Sequence, residues 1–230
     1  MPEQVGDFCV YCGSLENLDY DHVPPKGIFP KPRPDGLITV RSCKPCNGGA
    51  SKDDEYFRMM LCLRDDVGES PEAQKNWSSI LHSLEREQAI GMRTALLKSI
   101  HPVQAMTWSG IYVGEMTGYH VNLDRINRVI SRTVRGLYFL EQKRRMPEDH
   151  DVSVWCDETL IKLHGEKLAY FQEKINLPLE SLAPKVIGPG VFHYRFFFFE
   201  DGLWSIWKLS FYERKAFLAM TGPKNLMGRK

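Results

Sequence analysis

Two pairs of cysteines, Cys9-Val-Tyr-Cys12 and Cys43-Lys-Pro-Cys46, stand 30 residues apart near the start of a 230-residue chain. Each C-x-x-C pair puts two thiols on one tight turn, and two such turns supply the four thiolates that a soft d¹⁰ ion such as Zn²⁺ takes in a tetrahedron. The chain must therefore fold residues 9–12 back against residues 43–46. A redox reading of either C-x-x-C would call for a βαβ pattern around it, and neither pair has one. With every position taken by sulfur, the expected ion is structural and the chemistry has to lie elsewhere. Cys62 and Cys156 fall in apolar contexts and read as small core residues.

Residues 1–52 hold four of the six cysteines and seven of the fourteen prolines, which suits short strands and loops tied by a metal rather than by a large core. Beyond them the chain is an ordinary globular sequence: 43% hydrophobic, with 30 Lys+Arg against 29 Asp+Glu. A chain of this size buries about 70% of its unfolded surface and needs no disulfides. No apolar run approaches the ~20 residues that span a bilayer, and Met1–Gly13 lacks the basic and apolar regions of a signal peptide. The expectation is a cytoplasmic protein with no membrane contact.

The fold expected is α+β: a zinc-stapled N-terminal module over residues 1–66, then an α+β body over residues 67–230 of unknown role. Ser51-Lys-Asp-Asp-Glu55 resembles an N-cap with acids in the first turn, so a helix is predicted from Ser51 to about Arg64. Pro71 opens a second helix reaching about Ile100, stopped by His101-Pro102. Residues 104–121, broken by three glycines, suggest a short strand and loop. Helices are predicted over 122–145 and 158–176, and a β-hairpin over about 191–220 around the Asp201-Gly202 turn. The Phe196–Phe199 run, which could stack on bases, reads more simply as a buried strand.

Between the knuckles lies Asp21-His22-Val23-Pro24-Pro25-Lys26, and the second knuckle runs straight into Asn47-Gly-Gly. C-x-x-C, Asp-His followed by Pro, then C-x-x-C-Asn resembles the His-Asn-His (HNH) nucleases over about residues 8–60. The resemblance implies a ββα-metal fold, two strands and a helix around one divalent ion. It implies His22 as the general base that deprotonates the attacking water, as a neutral imidazole can at cytoplasmic pH. It implies Asp21 and Asn47 as oxygen ligands of Mg²⁺ or Mn²⁺, and the hydrolysis of phosphodiester bonds, in DNA rather than RNA, leaving 5′-phosphate and 3′-hydroxyl ends. Defence or mobile-element biology is a natural setting for such a module. Many members carry a bracing Asn about five residues before the second knuckle; here that position is Ile38. Taken apart from the resemblance, Asp21-His22 reads as a loop-capping His and an Asp paired with Lys26. Asp53, Asp54 and Glu55 read first as acids complementing a helix dipole and second as additional oxygen ligands. The remaining histidines, His82, His101, His120, His150, His164 and His193, have no partner spacing that points to chemistry.

Residues 1–60 carry seven Lys/Arg against nine Asp/Glu, so this module alone attracts phosphate weakly. Besides Lys26, help is expected from Arg125, Arg128, Arg132 and Arg135, which step by three and four along one face of the helix predicted at 122–145. They read either as a phosphate-tracking stripe or as an ordinary solvated face. A non-catalytic zinc-stabilised nucleic-acid-binding or protein-interaction module is the alternative to an endonuclease.

Overall fold

The structure is a computed structural model and describes residues 7–107, 109–156 and 165–227. It is mixed helix and sheet, consistent with an α+β protein. Strands β1 (Leu18–His22) and β2 (Thr39–Cys43) form an antiparallel hairpin in which Leu18 faces Cys43, Asp21 faces Val40 and His22 faces Thr39. Helix α1 (Lys44–Gly48) follows at once, then α2 (Ser51–Cys62). The cap of α2 differs from expectation: Ala50 occupies that position, and the Ser51 hydroxyl donates to the Gly48 carbonyl instead. The apolar residues of α2 are buried, Phe57 completely.

The single helix predicted from Pro71 to Ile100 is broken into α4 (Pro71–Gln74), α5 (Trp77–Leu84), a 3-10 turn at Glu87–Ala89 and α6 (Ile90–Ser99), after a short α3 at Asp65–Gly68. Periodicity alone could not show why. Asn76 is buried, its Nδ2 donating to the Ile28 carbonyl and the Tyr212 hydroxyl, so tertiary bonds pin the first break; an extended Arg86 makes the second. His101 begins β3 (His101–Met106), as the residue before a proline tends to be extended. It pairs with β4 (Tyr112–Gly118), so the region read as a short strand and loop is a two-stranded hairpin.

Helix α7 (Leu123–Gln142) matches its predicted position, capped by Asn122, whose side chain accepts from the Arg125 N–H, and ended by Lys143 in the left-handed conformation. Ile126, Val129, Ile130, Val134 and Leu137 form its buried stripe. At Gly136 the helix touches the Asp-His loop: an added Cβ would sit 2.6 Å from a Val23 methyl, so only glycine permits this approach.

Helices α8 (Gly165–Phe171) and α9 (Leu177–Ser181) are joined by a π-helical turn at Gln172–Asn176. The first residues of the helix expected at 158–176 lie outside the described residues. The predicted hairpin grows into a five-stranded antiparallel sheet, ordered β5 (His150–Cys156), β9 (Lys215–Pro223), β8 (Ser205–Phe211), β7 (Phe192–Phe198), β6 (Lys185–Ile187). Around Asp201-Gly202 the connection is longer than a two-residue turn, closed by the Phe199 N–H bonded to the Trp204 carbonyl. Trp207, Phe192, Tyr194 and Phe211 are buried, and Phe196 stacks on Trp207 with centroids 4.7 Å apart. Phe197 points to the opposite face, against Leu179 and Ile206. One cluster of buried residues runs from Val10 through Phe57 and Leu137 to Ala219, continuous across residue 66.

Candidate metal centre and the Asp-His strand

The four cysteines come from three places: the turn Cys9–Gly13, the end of β2 and helix α1. The turn is closed by the Gly13 N–H bonded to the Cys9 carbonyl at 2.8 Å, with Gly13 at a φ of +81°. All four sulfurs lie within 4.8 Å of one another, and Cys12 and Cys43 Sγ are 3.6 Å apart. Tetrahedral Zn–S bonds of ~2.3 Å put sulfurs about 3.8 Å apart, so the cluster is positioned to hold a metal ion. Burial opposes ionisation of Cys9, but hydrogen bonds from the Cys43, Cys12 and Tyr11 backbone outweigh it and bring its thiol down to about 7. Among the described residues no other group of three or more His, Cys, Asp or Glu converges in this way.

The closed hairpin carries Asp21 and His22 as neighbours on β1, so their side chains leave on opposite faces. Asp21 faces inward and is 6% exposed. Its Oδ2 accepts from the Tyr11 hydroxyl at 2.8 Å and lies 3.7 Å from Arg132 Nε. Burial, reinforced by the Asp21 charge, pushes the Tyr11 phenol far above its ordinary range, so it stays a donor. Arg132 also reaches Asp54 with Nη2, at 2.5 and 2.6 Å from the two carboxylate oxygens, while its Nη1 is buried without a hydrogen-bond partner. The pairing of Asp21 with Lys26 considered from sequence is thus replaced by one with Arg132.

His22 is half-buried, and burial together with the Lys26 and Arg33 charges moves its pKa below the ordinary histidine value, against the pull of Asp21. Arg33 was not singled out in the sequence; its Nε donates to the Lys26 carbonyl at 3.2 Å, which sets two cations on the His22 side of the hairpin. The only signal for it is a basic residue held between Pro32 and Pro34. Asn47 lies in α1, and its Nδ2 donates to the Tyr20 carbonyl at 3.3 Å, one residue from Asp21. At Ile38 the backbone carbonyl accepts the Val23 N–H at 3.0 Å.

Arginines 125, 128, 132 and 135 do share a face of α7, but acids meet each of them. Arg125 and Arg128 take one oxygen each of Asp53, at 2.6 and 2.7 Å, Arg132 holds Asp54, and Arg135 pairs with Asp151 at 3.0 Å. Asp53 and Asp54, read first as dipole acids, are therefore the countercharges of another helix. Burial works against the Asp53 carboxylate, yet hydrogen bonds from Arg128 and Arg125 hold its pKa below the usual value; burial pushes Asp54 up despite Arg132. Arg128 keeps a side chain that is 60% exposed. A cleft of about 640 Å³ runs along this seam, bordered by Tyr11, Cys46, Asp53, Arg128, Arg132 and Arg135.

For a divalent ion, an Asp21 carboxylate and an Asn47 amide oxygen are hard donors of the right chemistry, and the tether to Tyr20 keeps Asn47 beside the Asp-His pair. One Asp21 oxygen, however, is already committed to Tyr11 and Arg132. No helix is long and apolar enough to cross a membrane among the described residues. No family model, no curated protein and no solved structure matches this chain.

Proposed function

We propose that the chain is a metal-dependent endonuclease of the HNH type, acting on DNA in the cytoplasm, with Zn²⁺ at the four cysteines. The observation that carries this reading is the bond from Asn47 to the Tyr20 carbonyl, which holds the residue after the second knuckle against the strand bearing Asp21 and His22. Zn²⁺ fits the four-thiolate set and fastens the hairpin to α1. Asp21 and Asn47 would hold Mg²⁺ or Mn²⁺, which when bound supplies charge stabilisation at the scissile phosphate and the leaving 3′-oxygen. An imidazole nitrogen of His22, kept neutral by burial and by Lys26 and Arg33, takes the proton of the attacking water. Lys26 and Arg33 hold the phosphodiester on the same side of the hairpin, and Arg128 extends the contact along α7.

A second reading has its own observation. Asp21 bound by Tyr11 and Arg132 is what a structural ion pair looks like, and it favours a non-cutting zinc-stabilised module that binds nucleic acid. Supercoiled plasmid with Mg²⁺ or Mn²⁺ separates the two. Cleavage by the native chain that falls at least about 100-fold in His22→Ala, with DNA binding retained by fluorescence anisotropy, supports the nuclease. Salt-sensitive binding with no cutting by either protein supports the second reading.

A further inference from the structure

Among the described residues the hairpin β3–β4 packs chiefly on itself, one strand against the other. It is a two-stranded sheet with no third strand among the described residues, so the outer edges of both strands are open. Its large apolar side chains face water: Val103, Met106, Ile111, Tyr112, Val113 and Met116 are between 37% and 66% exposed. The register places Val103 opposite Met116 on one face and Gln104 opposite Glu115 on the other, so exposure is shared by both faces. The base alone is anchored, by Tyr119 against the core and by the Asn122 N–H bonded to the Tyr56 hydroxyl at 2.8 Å. An isolated two-stranded hairpin is at best marginally stable in water, and open apolar edges invite strand pairing.

We propose that this hairpin is a dimerisation arm whose partner is the same arm of a second copy of the chain, related by a two-fold axis. Charge argues for that occupant. Between Lys98 and Asp124 the only formally charged residue is Glu115, and no Lys or Arg occurs until Arg125. A nucleic acid would need cations here, and so would the surface of an anionic membrane. A core depleted of charge is instead the mark of a homodimer interface. Val121 and Leu123, 40% and 49% exposed at the base, extend the same apolar patch. An isologous contact also pairs one open edge with the same edge of the second copy, satisfying backbone groups that no other strand among the described residues reaches. The arm lies apart from the Asp-His strand, so this inference stands whether or not the chain cuts DNA.

Sedimentation velocity of the full-length, zinc-loaded chain from 1 to 100 μM tests it. A dimer is expected, weakened at least tenfold by Val113→Glu with Met116→Glu, because like charges then meet across the axis. Both positions are exposed, so far-UV circular dichroism should be unchanged; if that double variant fails to fold, Ile111→Lys at the tip takes its place. Hydrogen exchange should show residues 101–106 and 112–118 becoming protected as concentration rises. A native chain that stays monomeric throughout, a dimer indifferent to these substitutions, or a monomer whose arm is protected only by phosphatidylcholine vesicles would each overturn the proposal.

Discussion

Asp53 shows how a single residue changes meaning between chain and fold. In sequence it is one acid of a first turn; in the structure it is the shared countercharge of Arg125 and Arg128 on a helix more than seventy residues away. Because its folded pKa lies below the unfolded one, its contribution to stability is present above the ordinary carboxylate value, and is lost as pH falls through the folded value. Replacing Arg125 and Arg128 together by Gln should therefore cost about 1 kcal/mol in urea unfolding at pH 7, the scale of partly exposed pairs. That difference should shrink as the solution is acidified below the pKa of Asp53. A deficit that stays constant down to strong acid would place the cost in lost packing on Tyr56, whose ring lies 4.2 Å under the Arg125 guanidinium. Arg132 was equally opaque in sequence. Helical periodicity puts it on a basic face, but only tertiary packing brings Asp21 and Asp54 to it, and removing the cation would leave the buried Asp21 and the half-buried Asp54 without their countercharge.

Among the elements, the β1–β2 hairpin is the one that ends at the four-cysteine cluster, so its order is expected to depend on a metal held there. It has two strands of five residues, a long proline-rich connection at the His22–Thr39 end and a sulfur cluster at the opposite end, where Cys43 pairs with Leu18. Strands that short do not hold themselves in water. Elemental analysis should find one Zn²⁺ per chain bound at these cysteines. A strong chelator should strip protection from amide exchange at residues 18–22 and 39–43 while leaving that of β7 and β8 intact, since those strands sit inside a five-stranded sheet covered on both faces. Simultaneous loss of both regions would mean that the ion supports the whole molecule. The α4–α6 stretch teaches the opposite lesson: its apolar spacing is helical, and the breaks at Asn76 and Arg86 come from bonds to distant carbonyls and from local extension.

Over the whole molecule, Tyr212 joins what the sequence separates. Its hydroxyl donates to the Ile28 carbonyl at 2.6 Å and accepts from Asn76 Nδ2 at 3.0 Å, so the end of the sheet is bonded to the segment that follows the Asp-His strand. Tyr212→Phe removes one of the two donors to the Ile28 carbonyl, leaving the bond from Asn76 Nδ2, and should destabilise the protein by about 1 kcal/mol in thermal or urea unfolding, in one cooperative transition. An unchanged midpoint would show that water replaces the hydroxyl. What the chain alone determined was whatever rests on local spacing: the four cysteines, because C-x-x-C makes each half of the cluster within one turn; the stripe of α7, because 3.6 residues per turn sorts its faces; and the two strands flanking Asp201-Gly202, because aromatic-rich runs either side of a turn dipeptide mark them, though not the length of the connection between them. What only tertiary structure decided was what depends on groups meeting in space: Arg132 on Asp21, acids on every arginine of α7, and a hairpin that, among the described residues, has no third strand beside it. Charge and hydrogen bonding act through space, and one sequence records which groups are present but not which of them meet.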